Sequence, residues 1–178
     1  LAFSLIAPPV FAHAIGGSDA QFVRNTVGAD PFPFLYLGAK HMVTGYDHIL
    51  FLFGVIFFLY GMKHIGAYVS LFAVGHSTTM LLGVYFNVGI NSYIIDAIIG
   101  VSVVYKALDN LGAFPTLFGV EPNQKAAVLI FGLFHGFGLA TKLQDLIVSP
   151  DGLLINLISF NVGVEIGQVL ALSFILIL

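Results

Sequence analysis

The chain contains no cysteine and no tryptophan, and charged residues make up only 8% of its 178 residues. Without cysteine, disulfide bonds and thiolate ligands are excluded, so any metal ion would have to be bound by imidazole, carboxylate, amide, hydroxyl or backbone oxygen groups. Soluble domains carry about 25% charged residues. Here 58% of the residues are hydrophobic and the mean hydropathy is +1.01. This composition predicts an integral membrane protein surrounded by a lipid bilayer.

Positive charge is also scarce, because the six Lys and Arg residues are spread along the chain and the net charge is −3. Proteins that bind nucleic acid concentrate basic residues in a patch, so we expect no nucleic-acid partner. If the N-terminus is exported, the cytoplasmic joints hold Lys63, Lys106 and Lys125, and the outer joints hold Arg24 and Lys142. Since cytoplasmic joints are enriched in Lys and Arg, the count favours an extracytoplasmic N-terminus.

Residues 1–14, LAFSLIAPPVFAHA, are typical of the end of a secretory signal peptide, because they are too short to span a membrane and close with small residues. Cleavage after Ala12 leaves His13 as the mature N-terminus, where its amine and imidazole chelate a metal ion. Cleavage after Ala14 removes His13, and a third alternative is an uncleaved, partly embedded segment. Residues 15–33 are polar and predict an extracytoplasmic loop.

Five apolar segments follow, each near the ~20 residues that a spanning helix needs. They cover residues 34–60, 65–86, 90–108, 125–141 and 152–178, and the one sizeable loop between them, 109–124, contains Pro115 and Pro122. The pattern predicts an all-α, polytopic transmembrane helix bundle of at least five spans that forms a single domain, residues 34–178. The last segment stops without a polar boundary, so we expect more chain after it.

Ionisable side chains lie near the middle of four of these segments: His48, His76, His135 and Glu165. A charged group at bilayer depth costs about 2.5–3.5 kcal/mol on insertion scales. A single membrane histidine commonly just forms a hydrogen bond between helices, but four groups at a similar depth favour a shared polar site. Three imidazoles and a carboxylate are suitable ligands for a divalent transition-metal ion.

Further polar residues extend this site. His41 lies two helical turns before His48 on the same face, and Asp47 is placed to ligate the ion or to orient an imidazole. In the last segment Asn161, Glu165 and Gln168 are spaced as on one helix face. The predicted metal ligands are His41, Asp47, His48, His76, His135 and Glu165, and the predicted supporting or pathway residues are His13, Thr44, Ser77, Thr78, Asp96, Asn161 and Gln168.

These motifs resemble those of the HupE/UreJ family, small membrane proteins associated with hydrogenase and urease maturation and regarded as nickel or cobalt permeases. The resemblance rests on four strings: His41-Met-Val-Thr-Gly45-Tyr-Asp47-His48, Gly75-His76-Ser77-Thr78, His135-Gly136-Phe137-Gly138-Leu139-Ala140 and Phe160-Asn161-Val-Gly163-Val-Glu165-Ile-Gly167-Gln168. The common form of the first motif has proline after its first histidine, where this chain has Met42, and we therefore expect no helix break there. The resemblance implies a multi-pass protein of a bacterial inner membrane, with a cleaved signal peptide and one further transmembrane helix after the fifth segment.

The residues and the resemblance together favour a permease for a divalent ion, nickel or cobalt first and zinc or copper as alternatives, over an enzyme. The ion would be collected outside by His13 or Asp19 and pass His41 to the midplane site. The chain has no Walker motif, so transport would be driven by a gradient, the membrane potential or downstream sequestration. Two other hypotheses stay open. One is a metal-dependent intramembrane hydrolase that uses the same residues with Ser77, and the other is a structural accessory subunit of a larger membrane complex. A homo-oligomer is compatible with each of them.

Overall fold

A computed structural model describes residues 15, 17–57, 62–146 and 150–177, with the side chains of 62–64 left out. Within these ranges all regular structure is helical, which confirms the all-α class. The predicted signal segment 1–14, with His13, lies outside the described residues. The eight helices of the described part are α1 (Gly17–Asn25), α2 (Pro31–Thr44), α3 (Tyr46–Ile56), α4 (Met62–Tyr85), α5 (Ser92–Asn110), α6 (Ala113–Phe118), α7 (Gln124–Gln144) and α8 (Leu153–Ile177).

Three of these helices are long and apolar enough to cross a membrane: α7, α8 and the part of α4 from Ile65 to Tyr85. Helix α5 has 19 residues but carries Asp96, Lys106 and Asp109. The first predicted span consists of α2 and α3, and each of these is shorter than the ~20 residues that span a bilayer alone. The total of five spans therefore stays a prediction.

The expectation of one continuous helix over residues 34–60 is wrong, because the helix is interrupted at Gly45. Gly45 has an extended backbone, with φ −75° and ψ 102°, and it separates α2 from α3. A Cβ atom at this position would lie 2.7 Å from Nδ1 of His48 and 3.0 Å from the carbonyl oxygen of His41. The surroundings of Gly45 therefore leave no room for a side chain at the break, which lies three residues after the place where the family pattern has proline.

The polar stretch 15–33, expected as a loop, contains helix α1 and the start of α2. Helix α1 has an apolar side that the run of polar residues hides: Val23 is buried, and the Phe22 ring lies 6.0 Å from the Phe34 ring. The predicted loop 109–124 likewise contains the short helix α6. Helix α1 packs its apolar side against the bundle, whereas α6 buries none of its residues and contacts α5 through the Phe114 and Tyr105 rings, 4.9 Å apart.

Glycines join helix α4 to helix α7 along their length. A Cβ atom on Gly75 would lie 2.6 Å from the carbonyl oxygen of Leu129, and one on Gly132 would lie 2.6 Å from that of Phe72. A Cβ atom on Gly136 would overlap the backbone of α4. Spacing small residues four apart lets two membrane helices approach backbone to backbone, so these glycines fix a close, parallel α4–α7 pair.

Helices α2 and α8 form a second pair of the same kind. Gly38 of α2 faces the backbone of Phe160, and Gly163 of α8 faces the backbone of Leu35. A Cβ atom on Gly167 would lie 2.6 Å from the carbonyl oxygen of Ala39. The bundle is thus built from two glycine-mediated pairs, α2–α8 and α4–α7, with α3 and α5 packed beside them.

The α1 end of the bundle is formed by α1, the first turns of α2, α5 and α8, and the last turns of α4 and α7. Hydrogen bonds join these turns: the side-chain amide of Asn156 donates to the Gly28 carbonyl at 2.9 Å, and that of Gln144 donates to the Gly83 carbonyl at 2.7 Å. The opposite end holds the last turn of α3 and the first turns of α4 and α7. Helices α2, α5 and α8 thus start at the α1 end, and α4 and α7 start at the opposite end.

Apolar side chains form two separate buried clusters between these ends. The α1-side cluster includes Val23, Phe34, Leu37, Met42, Leu52, Met80, Val84, Leu139, Ala140, Leu143, Leu146, Leu157, Phe160 and Val164. The far-side cluster includes Phe51, Val55, Ile56, Ile65, Phe72, Val128 and Leu172. Each cluster closes one half of the bundle interior.

Candidate metal centre

Imidazoles from four different helices meet in the interior of the bundle. The His48 ring of α3 lies at the centre, with ring-centroid distances of 4.9 Å to His41, 5.8 Å to His76 and 5.2 Å to His135. His41, His48 and His76 each offer one ring nitrogen, and these three atoms lie within 4.8 Å of one another. The described part of the chain therefore contains a compact group of nitrogen donors of the kind that binds transition metals.

The group is shielded from the surroundings. His48, His76 and His135 are 0% exposed, and His41 is the most accessible at 8%. Phe72 of the far-side cluster lies against His76 and His135, with ring-centroid distances of 6.2 Å and 5.2 Å. On the other side, the Phe160 ring of the α1-side cluster lies 6.0 Å from His41. The imidazoles thus occupy the boundary between the two apolar clusters.

The tautomers of two rings follow from their partners. Nδ1 of His135 lies 2.8 Å from the carbonyl oxygen of Phe131, and a carbonyl only accepts hydrogen bonds, so Nδ1 carries the proton. Nδ1 of His48 lies 3.3 Å from a carboxylate oxygen of Asp47, which also only accepts. Both neutral rings then keep their lone pair on Nε2, and this is the arrangement in which a histidine ligates a metal.

The break at Gly45 brings His41 and His48 together. In a continuous helix, residues seven apart are separated by about 10 Å along the axis, whereas the two ring centroids are 4.9 Å apart. Gly136 has an equivalent effect on the other pair of helices, because α7 approaches the backbone of α4 at His76. The cluster thus depends on two glycines: Gly45 lies at the break between α2 and α3, and Gly136 lets α7 pack closely against α4.

Glu165 is not part of this cluster, and the expectation that it shares a buried face with Asn161 and Gln168 is wrong. Asn161 and Gln168 are buried at 6% and 1% exposure, whereas Glu165 is exposed. The glycine contacts of α8 with α2 place Val164 inside the interface. One further residue turns the helix by about 100°, and this moves Glu165 off the buried face.

The remaining candidate residues lie apart from the imidazoles or bond within their own helix. Thr44 and Thr78 are exposed, and each donates to the carbonyl four residues earlier. Asp96 forms an ion pair with Lys142 of α7 at 3.1 Å. Other hydrogen bonds and positions are as follows: Asn161 to the Leu157 carbonyl at 3.0 Å, Gln168 to the Val69 carbonyl at 3.2 Å, and Ser77 half-buried beside His76.

The sequence reasoning missed the residues that enclose the rings. Phe51 follows His48 by three residues, and Phe72 precedes His76 by four, so both spacings place an aromatic ring on the histidine face. Thr79 was also missed. Its buried hydroxyl donates to the Leu133 carbonyl at 2.6 Å and ties α4 to α7 one turn from His76. Helical spacing from each histidine was the signal that could have found all three.

Comparison with known proteins adds one finding. The family model described as HupE / UreJ protein matches residues 17–178, a range that contains all four imidazoles and every described helix. Neither the curated proteins nor the solved structures give a match. The family match supports a membrane protein with a role in nickel or cobalt handling. On the extent of this match, the chain belongs to the HupE/UreJ family.

Proposed function

We propose that this protein is a permease for a divalent transition-metal ion, nickel or cobalt above all, and that the ion is bound in transit by His41, His48, His76 and His135. The observation that carries the proposal is the meeting of four imidazoles from α2, α3, α4 and α7 between two apolar clusters. Ionisable residues within membrane segments face the bundle interior and mark substrate or ion pathways. The family match points to the same metals.

The spacing of the imidazole nitrogens suits an ion that is bound briefly and released, rather than one that is held permanently. With metal–nitrogen bonds of about 2.0–2.1 Å, tetrahedral ligands lie about 3.4 Å apart. The ring nitrogens of His41, His48 and His76 lie within 4.8 Å of one another, so small side-chain rotations bring them to bonding distance. Binding requires neutral imidazoles and competes with protons. Protonation of an imidazole would therefore release the metal ion.

Asp47 supplies the negative charge of the site. Its carboxylate is buried at 9% exposure and contacts the His48 ring. A carboxylate behind a ligating imidazole raises the basicity of the ring and fixes its orientation. It also offsets part of the charge of a divalent ion.

The two apolar clusters support an occluded resting state of a transporter. The α1-side cluster lies above the imidazoles and the far-side cluster below them, so opening either one exposes the rings to one face only. The interruption between α2 and α3 lies at the same level, and broken helices commonly form the ion sites of transporters. With the exported N-terminus that the sequence favours, the α1 end faces the outside.

Metal uptake tests the proposal. Cells that carry the protein are offered nickel, cobalt, copper and zinc together, and the accumulation of each ion is compared with that in cells carrying a His48→Gln/His76→Gln variant. Glutamine keeps the polarity and approximate volume of the ring but removes the strong nitrogen donor. We expect accumulation of nickel or cobalt to fall to the level of cells without the protein.

Two controls make the result specific. Ser70→Ala changes an exposed side chain on α4, the helix that carries His76, and should leave uptake unchanged at equal protein level. The metal content of the purified protein is measured in parallel. Equal accumulation of every ion by the parent protein and the double variant contradicts the permease proposal, and so does tightly bound metal in a protein that transports none.

A further inference from the structure

Helix α1 covers the α1 end of the bundle. Val23 is 3% exposed and belongs to the α1-side cluster, and Ala20 and Phe22 pack against that cluster. The contacts are made by side chains, without the close backbone approach that joins α4 to α7. A nine-residue helix held in this way is separable from the bundle, whereas the long helices are not.

A glycine lies at or near each end of α1: Gly17 is its first residue, and Gly28 follows its last residue by three. Gly17 and Gly28 have φ angles of +59° and +88°, and a Cβ atom at either position would meet nothing within 4 Å. Glycine is therefore needed at these positions for backbone conformation and not for space. On the α2 side of α1 the chain is fixed, because Asn156 donates to the Gly28 carbonyl at 2.9 Å and accepts from the Asp30 amide at 2.7 Å. Movement of α1 would thus pivot at Gly28.

One ion pair joins α1 to the helix below it. Nζ of Lys40 lies 2.7 Å from a carboxylate oxygen of Asp19, and the two side chains are 39% and 24% exposed. Lys40 directly precedes His41, the most accessible of the four imidazoles. Ion pairs that water reaches are weak, and a divalent cation competes with the ammonium group for the carboxylate.

We propose that α1 is a hinged lid over the route to His41, held closed by the Asp19–Lys40 ion pair, and that an arriving divalent cation opens it by binding the Asp19 carboxylate. The inference rests on the proposed function, because it describes how the ion reaches the imidazoles. It assigns Asp19 and Lys40 a role in gating access, distinct from that of the imidazoles that bind the ion in the interior.

The absence of native cysteine allows a direct measurement of lid opening. In a Val23→Cys variant reconstituted in vesicles, the thiol is buried while the lid is closed, and its modification rate by a membrane-impermeant thiol reagent reports opening. We expect Asp19→Asn or Lys40→Gln to raise that rate about two- to fivefold, the range that loss of an exposed ion pair allows. The exchange Asp19→Lys/Lys40→Asp should restore the parent rate.

Arg24→Gln is the matched control, since it removes an exposed charge from the same helix but leaves the ion pair intact. Parent rates in both single variants overturn the proposal. An equal increase in Arg24→Gln also overturns it, because the effect would then belong to the charge of α1 and not to the pair.

A cross-link separates the lid from the permease proposal. In an Asp19→Cys/Lys40→Cys variant, a short, reducible bifunctional thiol reagent fastens α1 to α2. We expect the reagent to stop nickel uptake by the double variant and reduction to restore it, while in each single-cysteine variant the uptake rate is the same before and after the reagent. Undiminished uptake by the cross-linked protein overturns the lid and leaves the permease intact. If the parent protein transports nothing, the modification rates still decide whether α1 opens.

Discussion

Gly45 is a position at which the smallest substitution, to alanine, should damage the metal site. It lies between α2 and α3, and an added methyl group would stand 2.7 Å from Nδ1 of His48 and 3.2 Å from Oδ1 of Asp47. Both groups belong to the contact that orients the central ring. Gly45→Ala therefore tests the geometry of the cluster without removing any ligand.

The size of the effect follows from these distances. Ordinary contact begins at 3.4 Å, so Nδ1 of His48 must withdraw by about 0.7 Å, and an active constellation tolerates only about 0.5 Å. Since the methyl group would also stand 3.2 Å from Oδ1 of Asp47, it would disturb both sides of the Nδ1–Oδ1 contact, which is 3.3 Å long. Loss of such an orienting partner commonly lowers metal affinity about 10- to 100-fold. Alanine also favours helix over the extended backbone at this position, which adds to the displacement.

The assay is calorimetric titration of the purified protein in detergent with nickel and cobalt, with circular dichroism to show that helical content is kept. Gly100→Ala in α5 is the matched control, because a methyl group there meets nothing within 4 Å, and its metal affinity should equal that of the parent. A Gly45→Ala protein that keeps its helices and binds metal with parental affinity would refute the role given to the break.

Two further perturbations address what holds the bundle together. Thr79→Val removes the hydroxyl that donates to Leu133 at 2.6 Å, so thermal unfolding should show a loss of about 0.6–1.7 kcal/mol, while Thr78→Val on the exposed side should show none. Lys106→Met leaves the Asp109 carboxylate buried without its cation, since the two side chains are 8% and 7% exposed, and should cost about 3–5 kcal/mol. Lys106→Met/Asp109→Leu should be milder, and equal losses in single and double variants would show that the ion pair is not the cause.

The meeting of the histidines was predictable because depth and helicity leave little freedom. His48, His76 and His135 lie at similar depth in three apolar segments, and adjacent helix axes in a bundle are about 8–10 Å apart. Polar side chains at one depth that avoid lipid must then face each other, as the ring distances of 5.2 Å and 5.8 Å show. That these rings bind metal stays a prediction.

The exposure of Glu165 shows that the depth of a residue in the membrane does not determine which side of its helix it occupies. Depth is one coordinate, and the rotation of a helix about its axis is another, set by the neighbour against which it packs. In α8 the rotation is determined by Gly163 and Gly167, which face the backbone of α2. Their four-residue spacing is visible in the sequence and marks the interface. The prediction for Glu165 rests instead on the spacing of the polar residues Asn161, Glu165 and Gln168. Glu165 lies between these two glycines in the sequence, but its side chain does not point toward α2.

The helix break could not be predicted from local preference, because its cause is the arrangement around it. Met42 favours helix, and glycine is common in membrane helices, so neither residue predicts a break by itself. In the folded chain His41, Asp47 and His48 lie so close to Gly45 that a Cβ atom would meet all three. These contacts form only when the chain is folded, so they are not visible in the local sequence.

The two glycine-mediated pairs suggest how the proposed transport would use this fold. His41 belongs to the α2–α8 pair, and His76 and His135 belong to the α4–α7 pair. His48 lies on α3, which follows α2 directly at Gly45 and contacts it through the His41 and His48 rings. Because backbone-to-backbone packing makes each pair rigid, a sliding of one pair past the other separates His41 from His76 without breaking either interface. Ion release then requires movement at Gly45, and for this reason Gly45→Ala should impair transport even with saturating metal.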